Sequence, residues 1–134
     1  MQSNPVMSFD QAQAYLDELL DALPQAYVRS LNGGVILVPD TMPSPHSQRG
    51  DLFTLGMYHY EPQGMGRYIT IYYGTFVTIY GRESLEKQRN VLEEVLRHEL
   101  THHLESLAGE RDLEIEDQEF LEKYRRGEHI DRHG

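Results

Sequence analysis

Phe9, Ala12, Tyr15, Leu16, Leu19, Leu20 and Leu23 recur at three- and four-residue steps, with acidic residues opposite them. That spacing draws one apolar stripe along a helix. Ser8 or Asp10 can cap its start, and Pro24 stops it. The pattern then changes. Val35-Ile36-Leu37-Val38 is a short continuous apolar run between Gly33-Gly34 and Pro39-Asp40, which predicts a buried strand. Thr41 to Asp51 holds two Pro, two Ser and a Gly and reads as a loop. Leu52 to Tyr60 fits either a strand or an irregular segment, and Glu61 to Gly66 a turn. Tyr68 to Tyr73 is rich in β-branched and aromatic residues and predicts a strand. Phe76 to Tyr80 fits a second strand after Gly74 or a short helical turn.

Helical spacing returns at Val91, Leu92, Val95, Leu96, Leu100 and Leu107. Ser84 is the candidate cap for this long helix, Glu86 sits in its first turn, and Gly109 marks its end. Glu110 to Asp117 is a polar linker anchored by Leu113 and Ile115. Asp117 can cap a last helix through Phe120, Leu121 and Tyr124 to about Arg126. Met1 to Val6 reads as a frayed end, and residues 127–134 as a loose tail. Helices and strands thus occupy separate stretches of one α+β domain spanning residues 1–134, with its core at about 8–126.

Composition narrows the chemistry. The chain has 134 residues, 39% hydrophobic and 25% charged, as an ordinary globular domain has. It has no Cys, which removes disulfides, a cysteine nucleophile and a thiolate zinc site. A net charge of −10 opposes nucleic acid and anionic membrane surfaces. Met1 to Asp10 lacks a basic stretch followed by an apolar one, and no apolar run reaches membrane-spanning length. A cytoplasmic location is expected, with no signal peptide and no membrane partner.

Within the long helix stands His98-Glu99-Leu100-Thr101-His102, an H-E-x-x-H sequence. On a helix, residues four apart share a face, so both imidazoles can converge on one metal ion while Glu99 reaches a water beside it. With 7 His in the chain, chance yields only about 0.04 such matches. That low rate favours a metal site over two incidental surface histidines. At about 100° per residue, Val91, Val95, His98 and His102 share one stripe, with Glu99 between it and Leu92 and Leu96. The His pair is therefore expected at the border of the buried face rather than toward open water.

Catalytic zinc usually takes three protein ligands. Downstream candidates for the third are Glu105, Glu110, Asp112, Glu114, Glu116 and Asp117. Glu105, three residues past His102, can ligate or accept the second ring N–H of a ligand histidine. A carboxylate beyond a reversal at Gly109 approaches from another direction, which suits a tetrahedral site better. His103 projects about 100° away from His102, so it reads as a core histidine or one supporting a ligand. His46 and His59 read as ordinary loop or strand residues, and His129 and His133 lie in the tail.

The run from Leu92 to Tyr124 resembles the small zincin-like metallopeptidases of bacteria, the minimal zincin family. The carrying residues are Glu93-Glu94-Val95-Leu96-Arg97-His98-Glu99-Leu100-Thr101-His102-His103, with its doubled His, together with Ile71 to Gly74 and Leu104 to Glu114. The likeness extends over about residues 8–126. It implies a minimal zincin-like fold: a small mixed sheet of three or four strands packed against an N-terminal helix and a long active-site helix. It also implies Zn²⁺ as cofactor and a peptide or protein as substrate. The better-known pattern continues as H-E-x-x-H-x-x-G-x-x-D, the Asp being the third ligand. Here the Gly position is Glu105 and the Asp position is Ala108. If Leu104 to Glu114 is an insertion, Glu116-Asp117 takes the place of the family's acidic pair and Asp117 becomes the third ligand. Its competing reading is a helix cap.

The expected chemistry is hydrolysis of an amide by a zinc-activated water, with Glu99 as general base and His98, His102 and Asp117 as ligands. Tyr72, Tyr73 and Arg111 are candidate oxyanion donors. Two rivals stand beside it: a non-catalytic, metal-stabilised binding domain, and a metallohydrolase acting on a non-peptide bond.

Overall fold

Ser8 opens the first helix as the pattern predicts. In the computed structural model, which describes residues 5–44 and 52–109, its side chain accepts from the Gln11 backbone N–H, and the Gln11 side chain returns the bond to Ser8 N–H. That reciprocal pair satisfies two donors that a helix start leaves open. The helix, α1, runs Phe9–Asp21 and buries Ala12 and Leu16. A single turn, α2, follows at Gln25–Val28.

The strands are β1 (Gly34–Val38), β2 (Met42–Pro43), β3 (Phe53–Thr54), β4 (Gly56–Glu61) and β5 (Gly66–Tyr72). β1 pairs parallel with β5, and β4 pairs antiparallel on its other side, giving a mixed sheet of order β1-β5-β4. β2 and β3 form a separate antiparallel pair. The segment 52–60 is therefore strand for most of its length. The β4–β5 turn needs Gly66, whose φ is +76°. A Cβ there would also stand 2.6 Å from Asn32 Oδ1, the atom that accepts the Arg67 backbone N–H.

Phe76 to Tyr80 belongs to a helix, α3 (Tyr73–Tyr80), and not to a second strand. Its composition is strand-like, but Tyr73, Phe76, Val77 and Tyr80 lie at helical spacing and turn one side inward, with Phe76 fully buried. Packing of that stripe outweighs the weak local preference of Val, Thr and Ile. The long helix, α4, runs Leu85–Gly109. Ser84 caps it, taking Lys87 N–H on its hydroxyl oxygen and Gln88 N–H on its carbonyl.

Strand alternation sorts the sheet into two faces. Val35, Leu37, Ile69, Ile71, Gly56 and Tyr58 share the face that meets the helices. Ile69, Ile71, Leu16, Phe76, Leu92, Val95, Leu96 and Leu100 make the core between them. Burial of each such side chain contributes about 1.5–3 kcal/mol. Gln88, also fully buried, is satisfied at both ends: its Oε1 accepts Met7 N–H, and its amide donates to the carbonyls of Pro5 and Glu83. Among the described residues, no helix is long and apolar enough to cross a membrane.

Candidate metal centre

Helix α4 sets His98 and His102 one turn apart, and their rings stand nearly perpendicular, at 88°. The two Nε2 atoms are 3.3 Å apart. Two Zn–N bonds of about 2.0–2.1 Å at a tetrahedral angle require nitrogens about 3.3 Å apart. The pair therefore fits a shared zinc ion as it stands. Both imidazoles are exposed, which corrects the expectation that they sit at the border of the buried face. The buried member of the motif is Glu99, at 7% exposure. Rotation by 100° per residue carries Glu99 from the His stripe into the contact with the sheet.

Gly56 makes that contact possible. A Cβ at this position would stand 2.7 Å from Val95 Cγ1 and 3.3 Å from Glu99 Cγ. Only a glycine lets the edge strand come so close to α4 here. The ladder then selects which backbone groups face the helix. Tyr72 N–H donates to Leu55 O in the β5–β4 pairing, so the odd residues of β4 bond to β5 and the even ones turn outward. Tyr58 is one of the outward residues, and its N–H donates to the Glu99 carboxylate. Burial raises the carboxyl pKa of Glu99, while the neighbouring His98 and His102 and the Tyr58 N–H pull it down. Such opposed influences are what a carboxylate needs to hold and release a proton.

Glu105 lies on the other side of the His102 ring from His98. Its Oε1 is 3.7 Å from His102 Nδ1, the atom opposite the one turned toward His98. That is the side from which a carboxylate orients an imidazole. Among the described residues, no group of three or more His, Asp and Glu is arranged to hold a metal. Asp117 lies outside the described residues, as do Glu110, Arg111, Asp112, Glu114, Glu116, His46, His129 and His133.

Two upstream expectations are settled by the sheet. His59 pairs with Tyr68 on the face away from α4, stacks on its ring at 4.4 Å and meets Thr70 Oγ1 at 2.9 Å. It has no part in the metal centre. Tyr72 lies on that same outer face, and the Tyr73 hydroxyl donates to the Met7 carbonyl. Neither is placed as an oxyanion donor.

His103 is fully buried. Its Nδ1 lies 3.0 Å from the Tyr58 hydroxyl and its Nε2 lies 3.2 Å from Ser30 Oγ. Burial, reinforced by the nearby Arg67 guanidinium, pushes its pKa down to about 4, so the ring is neutral near pH 7. Arg67, itself buried, donates to the Tyr58 hydroxyl at 3.0 Å and to Ser106, and its guanidinium covers the Tyr60 ring at 3.9 Å.

No family model matches the chain, and no curated protein matches it. Among solved structures, it is similar to a conserved hypothetical protein from Thermo thermophilus. The two are 30% identical with a TM-score of 0.64, over 77% of this chain and 99% of that one. The chain belongs to the family of that protein. The site also includes residues behind the motif. Gly56, Tyr58 and Arg67 were not flagged by sequence reasoning. A glycine in a stretch of uncertain structure and a tyrosine among 9 carry no local signal. Only strand pairing brings them to α4.

Proposed function

We propose that this chain is a zinc-dependent metallopeptidase with a zincin-like fold. His98 and His102 hold the metal, Asp117 completes the protein ligands, and Glu99 is the general base. The observation that carries this reading is the 3.3 Å separation of the two Nε2 atoms, directly beside a buried carboxylate. The doubled-His resemblance supports the Asp117 assignment.

Zinc bound there supplies Lewis acidity and brings the pKa of a water toward neutrality. The remaining work falls to the chain. Glu99 is held by the Tyr58 N–H beside the two imidazoles. From there it takes the proton of the attacking water and returns it to the departing amine nitrogen. Its raised pKa favours the first of these transfers. β4 is an edge of the three-stranded sheet, and an extended peptide laid along such an edge runs beside Glu99. A peptide or protein is therefore the proposed substrate class. Absence of thiols and a net charge of −10 agree with a cytoplasmic enzyme that avoids nucleic acid.

A non-catalytic metal-stabilised domain would have no need of a buried base, which a purely structural site does not use. Elemental analysis after zinc loading tests the proposal: about one zinc per chain in wild type, and loss in His98→Ala and in His102→Ala. Zinc retained in both variants would refute the site.

A further inference from the structure

We propose that His103 is a positioning residue for Glu99, acting through Tyr58. This rests on the reading of Glu99 as the base and adds to it a reason for the second histidine of the doublet. The two histidines differ in surroundings: His102 is exposed and His103 is fully buried. Behind α4, five groups form a connected chain. Arg67 donates to the Tyr58 hydroxyl oxygen at 3.0 Å. That hydroxyl meets His103 Nδ1, also at 3.0 Å. Nε2 stands 3.2 Å from Ser30 Oγ, and the ring also bonds the Tyr27 backbone in α2; assigning the hydrogen to Nε2 leaves Nδ1 to accept from the Tyr58 hydroxyl. A neutral imidazole has one donor and one acceptor nitrogen, and both are used.

The same Tyr58 presents two groups to α4. Its side chain is held by His103, and its backbone N–H is held by Glu99, one turn earlier on the helix. Fixing the ring fixes the strand's height along α4, and therefore the place where the outward N–H meets the carboxylate. Gly56, packed against Val95 and Glu99, supplies the lower contact of the same clamp. β4 is a sheet edge and is bonded on one side only. Among the described polar contacts of the Tyr58 ring, the one to His103 comes directly from α4, whereas Arg67 reaches it from β5.

Amide hydrogen exchange on the ¹⁵N-labelled 134-residue chain tests this, with the His59 amide as internal control because it points into the β4–β5 ladder. In wild type the Tyr58 amide should be protected although it lies on the outward edge. In His103→Leu it should exchange about tenfold to a hundredfold faster relative to His59, the range expected for losing a bond to a charged acceptor. Tyr58→Phe should do the same, and the double variant no more. His103→Asn, which offers an acceptor where Nδ1 stood, should restore part of the protection. Equal acceleration of Tyr58 and His59 in His103→Leu would mean general loosening and overturn the proposal. So would an unprotected Tyr58 amide in wild type, or no difference between the Leu and Asn variants. Zinc content is read on the same samples. A wild-type chain that takes up no zinc overturns the role of Glu99 as base, whereas unchanged Tyr58 exchange in zinc-loaded variants overturns the positioning role alone.

Discussion

Replacing Gly56 by alanine should push β4 away from α4. The added Cβ would meet Val95 Cγ1 at 2.7 Å and Glu99 Cγ at 3.3 Å. Val95 cannot swing aside easily, because a β-branched side chain in a helix has one strongly preferred rotamer. Overpacking of this kind costs about 1–3 kcal/mol, and the loss of glycine's unfolded-state freedom offsets about 0.4–1 kcal/mol. The net destabilisation should be about 1–2 kcal/mol, or roughly 3–8 °C in melting temperature for a domain of this size. Circular dichroism melts of wild type, Gly56→Ala, Val95→Ala and the double variant measure it. Val95→Ala alone destabilises by removing buried methyls, but in the double variant the alanine Cβ fills the space those methyls leave. The double variant should therefore be more stable than the sum of the single effects by about 1 kcal/mol or more. Strict additivity, or a Gly56→Ala protein as stable as wild type, would refute the close approach of strand and helix.

Glu99→Gln should bind zinc as wild type does yet lose peptide hydrolysis; hydrolysis at the parental rate in this variant sinks the base assignment. Asp117→Ala should lower zinc content by elemental analysis, and unchanged zinc removes Asp117 from the ligand set. Acid should weaken the fold through His103. Its folded pKa of about 4 lies below the ordinary value of 6.5, so between those values the unfolded chain binds the extra proton. The contribution of His103 is present above about pH 6.5 and lost as the pH falls toward 4, up to about 3 kcal/mol in all. Glu99, whose pKa is raised, has the opposite sign. The comparison is therefore Glu99→Gln with and without His103→Leu in denaturant titrations, so that Glu99 titrates in neither. A pH slope unchanged by the substitution contradicts the assignment to His103.

Some of this molecule was legible one residue at a time. The apolar stripes of α1 and α4, the Ser8 and Ser84 caps and the strand at 68–72 depend on local spacing, and spacing is written in the chain. The close approach of His98 and His102 is local in the same sense, because residues four apart on a helix meet whatever the rest of the protein does. Phe76 to Tyr80 was ambiguous since its composition and its spacing pointed to different structures, and contact with the core decided for helix. The exposure of His98 and His102 and the burial of Glu99 depend on how α4 is rotated against the sheet, which is a tertiary matter. The surroundings of the base lie further still from local reach. Tyr58 and His103 are 45 residues apart, and Arg67 and Ser106 are 39 apart. No periodicity links such pairs; they meet because β4 takes the edge beside β5 and Gly56 allows it to lie against the helix. The chain by itself wrote the chemistry of the motif, and strand pairing decided what holds it in place.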